Sequence, residues 1–214
     1  MISYAIFDLD GTLLDSMEMW SNVGREVLKS HGVTPPDNID NVLKVMSLQQ
    51  SSEYLIKEFH IRRTQNELIS EICKMVENKY KHEVTLKPFV LEYLKYLKFN
   101  DVKMCIATAC EYSCAVSALK RLNVYDFFEF ILTSSDVGIS KGSPEFFNLA
   151  GQKLGARTKE TVVFEDALHA IESAKKAGFY VVGVHDKTAE DDRENIKKIC
   201  DYYISSFKEM REIK

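Results

Sequence analysis

The 214-residue chain is predicted to be an α/β protein, with a parallel sheet flanked by helices and a separate helical segment inserted near its start. Two observations predict this fold class. Short apolar runs alternate with amphipathic helical stretches through the second half of the chain, which is typical of βαβ units around a parallel sheet. The segment 16–85 instead shows helical periodicity and no convincing buried strand. We therefore expect an α/β domain made of residues 1–15 and 86–214, and a helical domain made of residues 16–85.

The apolar runs predict the strands of the sheet. Each has strand length and lacks polar alternation, as strands that are buried on both faces do. The predicted strands are 2–7, 102–107, 130–132, 161–164, 180–184 and, as a sixth candidate, 202–204. The predicted helices of this domain are 89–99, 112–122, 144–154, 167–177 and 189–199. Pro144 fits a first helical turn, and Gly155 and Gly178 fit helix C-termini.

The inserted segment is predicted to form separate helices, with a break at Thr34-Pro35-Pro36. Apolar residues recur at three- and four-residue spacing over 17–28, and Trp20 lies on this apolar face, so we assign it to the core of the segment. A second helix is predicted over 47–60. A capping-box pattern opens a third helix over 64–80.

Composition and charge limit the classes of function. The chain has 28 Lys and Arg residues against 32 Asp and Glu residues, a net charge of −4, so no basic excess predicts binding to nucleic acid or to an anionic membrane. No stretch is long enough to span a bilayer, and the N-terminus lacks the basic flank of a signal peptide. Five scattered cysteines fit reduced thiols. We expect a cytoplasmic protein that is a monomer, with a homodimer as the alternative.

Two carboxylates follow the first predicted strand directly, in the stretch DLDGTLLD. Asp8 and Asp10 thus lie at the carboxyl end of a parallel strand, where open α/β sheets bind ligands. Residues two apart at a strand end project to the same side, so both can converge on one metal and one substrate atom. Gly11 permits a sharp turn. A polar turn without a ligand is the alternative, whereas a calcium loop is excluded because no Glu stands at its twelfth position.

The stretch DLDGTLLD after an apolar strand resembles the first motif of the haloacid dehalogenase-like hydrolase superfamily. Three later signals come in that family's order near strand ends, namely Thr108, Lys141 and the pair Glu165-Asp166. The resemblance covers essentially the whole chain and implies a Rossmann-like core. The inserted helical segment lies where the family's C1 cap lies, as in members similar to phosphoglycolate phosphatase and β-phosphoglucomutase.

The resemblance implies a role for each matching acidic residue. Asp8 would be the nucleophile that forms an aspartyl-phosphate, and Asp10 would be the general acid and then the general base. Asp166 would complete a Mg²⁺ site with the carboxylate of Asp8 and the backbone carbonyl of Asp10, since Mg²⁺ prefers hard oxygen ligands. Glu165 would hold a metal-bound water.

The resemblance also implies how phosphate is bound. Thr108 and the backbone N–H of Ala109 would donate to phosphate oxygens at the opening of a helix, and the alternative is that the Thr108 hydroxyl only caps that helix. Lys141 would neutralise charge between the phosphate and Asp8. The family's usual Lys-Pro is Lys141-Gly142 here, which leaves the placement of this lysine open.

The presence of Asp10 favours phosphoryl transfer over dehalogenation. True haloacid dehalogenases resemble this motif, but they lack an aspartate at that position and need no metal. Mutase-type caps resembling that of β-phosphoglucomutase carry a His and an Arg, which we cannot place in the segment 16–85. The expected function is therefore Mg²⁺-dependent hydrolysis of a small phosphorylated metabolite; a phosphosugar mutase and a non-catalytic binding or regulatory protein are the alternatives. Five polar residues of the segment are candidates for substrate specificity: Glu18, Asn22, Ser47, Gln49 and Gln50.

Overall fold

The chain forms two compact units in the computed structural model, which describes residues 2–43, 46 and 48–211. The first unit consists of Met1–Ser16 and Val84–Lys214, and the second unit consists of Met17–Glu83. The chain therefore leaves the first unit after Ser16 and returns to it at Val84, about 70 residues later.

The first unit is built on a parallel sheet. The strands are β1 Tyr4–Phe7, β2 Leu14–Asp15, β3 Thr85–Leu86, β4 Lys103–Thr108, β5 Ile131–Thr133, β6 Thr161–Glu165, β7 Tyr180–Val184 and β8 Tyr202–Ile204. Six of them form one sheet in the order β5-β4-β1-β6-β7-β8, and every neighbouring pair is parallel. The predicted α/β fold with a parallel sheet is thus confirmed. Strands β2 and β3 form a separate antiparallel pair.

The described part of the chain contains ten α-helices and four short 3₁₀-helices. The α-helices are α1 Met17–Ser30, α2 Ile39–Leu43, α3 Leu48–Phe59, α4 Gln65–His82, α5 Val90–Phe99, α6 Tyr112–Arg121, α7 Ser134–Val137, α8 Pro144–Leu154, α9 Leu168–Lys176 and α10 Arg193–Ile199. None of these described helices combines the length and the apolar composition that crossing a membrane requires.

Both faces of the central strand are buried, which explains its uninterrupted apolar sequence. Ile6 belongs to a core cluster with Phe146 of α8 and Ala170 of α9 on one face. Phe7 points to the other face and stacks on Phe164 at 4.6 Å between ring centroids. A one-residue slip of β1 would exchange these two side chains between differently shaped cores, so its register is strongly specified. The carboxyl end of β1 is therefore held in one position.

Some boundaries differ from the predictions for local reasons. The predicted helix 189–199 begins at Arg193, because Lys187–Asp192 forms a 3₁₀-helix whose first turn is capped by the Asp186 side chain. The pair β2 and β3 was not predicted, since two-residue strands are too short to show a period. Trp20 is not a core residue: it is 38% exposed.

The second unit packs α1 to α4 through their apolar faces. The indole N–H of Trp20 donates to the hydroxyl of the buried Tyr80 at 2.9 Å. The predicted capping box is confirmed: the Thr64 side chain accepts from the Glu67 backbone N–H, and the Glu67 carboxylate accepts from the Thr64 backbone N–H. These two contacts satisfy donors that the first turn of α4 would otherwise leave without partners.

Candidate active site

Asp8 follows β1 directly and is only 5% exposed. Its backbone N–H donates to the Phe164 carbonyl of β6 at 3.0 Å, which continues the parallel ladder one residue past the strand. The chain then turns sharply at Gly11, whose φ of +82° lies in the region that glycine adopts without strain. The backbone N–H groups of Leu13 and Leu14 both donate to the Leu9 carbonyl. We call residues 8–16, which carry Asp8 and Asp10, the acidic loop.

Strand β6 brings two further carboxylates to the same edge of the sheet. Glu165 is its last residue and Asp166 follows, and both are buried. One carboxylate oxygen from each of Asp8, Glu165 and Asp166 lies within 4.8 Å of the other two. This cluster is a consequence of the β1–β6 pairing, in which Phe7 is in register with Phe164.

Lys141 supplies the positive charge of the cluster. Its Nζ donates to Asp8 Oδ1 at 2.5 Å and also contacts Glu165 Oε1. The backbone N–H of Ala167 donates to the other oxygen, Glu165 Oε2, at 2.7 Å. The structure thus brings Asp8, Lys141, Glu165 and Asp166 together, although Gly142 stands where the resembling family has proline.

The buried charges do not balance. Burial by itself would lower the pKa of Lys141, but Asp8 and Glu165 outweigh it and hold that pKa above its ordinary value. Burial, followed by the neighbouring carboxylates Glu165 and Asp8, raises the pKa of Asp166 well above its ordinary value. Burial likewise raises the pKa of Glu165. Three carboxylates facing one ammonium therefore favour uptake of a further positive charge.

A divalent hard cation fits this donor set. Buried carboxylate oxygens in close proximity are the ligands that Mg²⁺ prefers, and the cluster carries the excess negative charge that such an ion would neutralise. The carboxylate of Asp10 is not among the three, and its predicted backbone contribution to the metal stays a prediction. Asp10 is half-buried, and its Oδ1 accepts a hydrogen bond from Ser16 Oγ at 2.6 Å.

Two supporting hydroxyls were not singled out from the sequence. Thr12 Oγ1 donates to Asp166 Oδ1 at 2.8 Å, across 154 positions of sequence, and Ser16 donates to Asp10. Thr12 could have been suspected from its place inside the motif beside Asp10. Nothing in the sequence indicated a role for Ser16, because small polar residues are common at the ends of loops.

The predicted phosphate-binding residues lie at the end of β4, the other neighbour of β1. Thr108 is the last residue of that strand and is buried, and Ala109 follows it and is exposed. The Thr108 hydroxyl accepts from the Cys110 backbone N–H at 3.0 Å. The N-cap residue of α6 is Glu111, so the alternative in which Thr108 only caps this helix is wrong. The contact of Thr108 and Ala109 with phosphate stays a prediction.

The candidate specificity residues belong to the second unit. Glu18 and Asn22 lie on α1, where the Asn22 amide donates to the Glu18 carbonyl at 2.8 Å. Gln49 and Gln50 are exposed in the first turn of α3, and Ser47 lies outside the described residues. Their contact with substrate stays a prediction.

Comparisons with known proteins agree on the family. The family model described as haloacid dehalogenase-like hydrolase matches residues 5–184. A Bacillus subtilis protein named "Putative phosphatase YhcW" is 29% identical over 87% of this chain and 85% of its own length. The "Phosphorylated carbohydrates phosphatase" of Thermotoga maritima is 24% identical over 81% of this chain and 80% of its own length.

Solved structures show the same fold. The crystal structure titled as a putative beta-phosphoglucomutase from Thermotoga maritima superposes with a TM-score of 0.88 at 21% identity, and the match covers 100% of both chains. At that identity the likeness is evidence for the fold alone, so it does not bear on the choice between hydrolase and mutase.

Proposed function

Because this chain belongs to the haloacid dehalogenase-like hydrolase family, in its C1-capped form, we propose that it hydrolyses the phosphate monoester of a small metabolite through an aspartyl-phosphate. One observation carries the proposal: Asp8 lies in a buried cluster with Glu165, Asp166 and Lys141 at the carboxyl edge of the sheet. The relatives named as phosphatases support a phosphoric monoester hydrolase, and the Thermotoga maritima relative favours phosphorylated carbohydrates as the class.

We propose Mg²⁺ as the cofactor, held by the carboxylates of Asp8 and Asp166 and the backbone carbonyl of Asp10. When bound, the ion would neutralise charge on the cluster and on the phosphate. The second unit would be the cap, with Glu18, Asn22, Ser47, Gln49 and Gln50 as candidate substrate contacts. We also propose a cytoplasmic location, where the thiols of the five cysteines would stay reduced.

The proposed chemistry divides one displacement into two. A carboxylate oxygen of Asp8 forms a bond to phosphorus as the bond to the leaving oxygen breaks, and Asp10 donates a proton to that oxygen. Asp10 then accepts a proton from water, whose oxygen attacks phosphorus and releases Asp8 and inorganic phosphate. Lys141 lies against Asp8 and lowers the repulsion between the carboxylate and an approaching phosphate. Thr108 and the N–H of Ala109 would bind the non-bridging oxygens.

The test is hydrolysis of p-nitrophenyl phosphate and of a panel of phosphorylated metabolites, each with Mg²⁺ and with EDTA. We expect phosphate release that requires Mg²⁺ and is lost in Asp8→Asn, which keeps the shape of the side chain but removes its charge. Asp126→Asn makes the same change at an exposed aspartate of the first unit and should leave the rate unchanged.

Two results would contradict the proposal. A phosphosugar that is isomerised faster than inorganic phosphate appears would make the chain a mutase. Mg²⁺ binding without turnover of any ester in the panel would make it a non-catalytic binding protein.

A further inference from the structure

Outside the carboxylate cluster, a largely buried ion pair joins Lys87, which follows β3, to Asp186 in the loop that follows β7. Lys87 Nζ is 2.8 Å from Asp186 Oδ2, and the two side chains are only 12% and 6% exposed. The same ammonium donates to the His185 carbonyl at 2.7 Å. Lys87 therefore has two acceptors on one short segment after β7.

Asp186 is itself held from its other side. Its Oδ1 accepts from the Thr188 backbone N–H at 2.9 Å and from the Thr188 hydroxyl at 2.7 Å. These contacts form the first turn of the 3₁₀-helix Lys187–Asp192. The carboxylate thus presents a fixed oxygen to Lys87.

The backbone of Lys87 is joined to the acidic loop. Its N–H donates to the Leu13 carbonyl at 2.9 Å, and the adjacent strand β3 pairs with β2 through Leu86 opposite Leu14. The Leu14 carbonyl accepts in turn from the Gly11 N–H at 3.0 Å, and the Leu14 N–H donates to the Leu9 carbonyl at 2.8 Å, so Leu14 is paired with both neighbours of Asp10. Backbone hydrogen bonds therefore join Lys87 to Leu13, and Leu14 to the two neighbours of Asp10. The Lys87 side chain ties this segment to Asp186.

Stability alone does not account for this pair. Two buried charges lose hydration, and apolar residues of similar volume are often as stabilising as a buried ion pair. Charge-assisted hydrogen bonds differ from apolar contacts in fixing direction and distance. A pair of this kind is suited to placing a loop, since a displacement of about 1 Å at a reacting group can cost roughly a hundredfold in rate.

We infer that Lys87 and Asp186 are positioning residues that hold the acidic loop so that the carboxylate of Asp10 meets the leaving oxygen of the substrate. The inference rests on the proposed function, because it assigns its effect to proton donation by Asp10. Neither residue contacts the reacting atoms in this scheme; both act through Leu13 and Leu14.

The test compares two substrates that differ in their need for that proton. Phenolate is a stronger base than p-nitrophenolate, so release of phenol from phenyl phosphate depends more on a general acid. The quantity measured is kcat/KM, which includes every step up to departure of the leaving group. In Asp186→Asn and in Lys87→Met we expect kcat/KM for phenyl phosphate to fall roughly tenfold, which is a fraction of the full effect of a general acid. For p-nitrophenyl phosphate we expect kcat/KM to fall by about threefold or less.

The controls separate positioning from loss of folded protein. Lys87→Arg retains a cation that can reach Asp186 and should restore most of the activity on phenyl phosphate. Glu194→Gln neutralises an exposed carboxylate paired with Lys197 on α10 and should change neither rate. Circular dichroism measures the folded fraction of each variant, and Lys87→Met provides the comparison if Asp186→Asn does not fold.

The outcomes are distinct. Equal losses on both esters, or no loss on either, would overturn the positioning role while leaving the proposed hydrolysis intact. A wild-type protein that hydrolyses neither these two esters nor any ester of the metabolite panel would overturn the proposed function and this inference with it.

Discussion

Lys141 Nζ lies 2.5 Å from Asp8 Oδ1, and both side chains are more than nine-tenths buried. The two residues are 133 positions apart in sequence and meet because the loop before α8 folds over the carboxyl end of β1. The lysine also contacts Glu165, so a single ammonium serves two carboxylates. This contact is the basis of the first prediction.

We expect Lys141→Met to lower kcat/KM for p-nitrophenyl phosphate by roughly 10²- to 10³-fold, because it removes a preorganised positive charge where the phosphate and Asp8 meet. The three carboxylates would then lack a cation in the apo protein. The free energy of unfolding measured in urea with EDTA should therefore fall by about 3 kcal/mol.

The matched control is Lys159→Met, which removes an exposed lysine from the 3₁₀-helix before β6. It should change neither kcat/KM nor the free energy of unfolding. Wild-type kinetics in Lys141→Met would show that the observed contact has no part in catalysis.

A second prediction concerns Thr12, which donates to Asp166 from a fully buried position. Partners that orient a metal ligand typically contribute 10- to 100-fold to metal affinity. In Thr12→Ala we expect the Mg²⁺ concentration for half-maximal activity to rise by about that factor. Thr12→Ser keeps the hydroxyl and should behave like the wild type; an unchanged Mg²⁺ requirement in the alanine variant would count against Asp166 as a ligand that Thr12 orients.

The third prediction is a pH dependence of stability at Asp186. Burial would raise the pKa of this carboxyl, but hydrogen bonds from Lys87 and Thr188 outweigh burial and hold its pKa below the ordinary value. A depressed folded-state pKa contributes stability above the unfolded pKa of about 3.9, and this contribution is lost as the pH falls through the folded value.

Urea unfolding of the wild type and of Asp186→Asn should therefore differ most near neutral pH. The difference between the two free energies of unfolding should shrink once the pH falls below about 4. Protonation of Asp186 then removes the negative charge that distinguishes it from asparagine. A difference that stays constant from pH 7 to pH 3 would mean that the pKa of Asp186 is the same in the folded and the unfolded protein, which would contradict the lowered pKa.

The fourth prediction tests the second unit through the capping box of α4. Thr64→Ala removes the acceptor of the Glu67 backbone N–H and should destabilise this unit by about 1 kcal/mol. Trp20, the single tryptophan of the chain, lies on α1, so its fluorescence reports unfolding of this unit. Thr64→Ser retains the oxygen and should keep the wild-type midpoint. An unchanged transition in the alanine variant would show that the cap contributes no stability.

Several features of the fold could be predicted from the sequence because they depend on neighbouring residues. The strand β1 is apolar without alternation because both its faces are buried, and the capping box at Thr64 spans four residues. Gly155 ends α8 with a φ of +68°, as its position after an apolar helical period predicts. Short elements escaped prediction: β2 and β3 have two residues each, too few to show a period.

By itself, the sequence determined the order of the strands along the chain, the α/β class and the place of Asp8 and Asp10 directly after a buried strand. Only the tertiary structure decided which distant side chains meet. Lys141 with Asp8, Thr12 with Asp166, and Lys87 with Asp186 are contacts over about 100 residues or more. The sequence pattern around a single polar residue does not indicate which distant residue it will contact. Such residues meet because β1 pairs with β6 and because the loops after β3, β5 and β7 fold back towards this edge of the sheet.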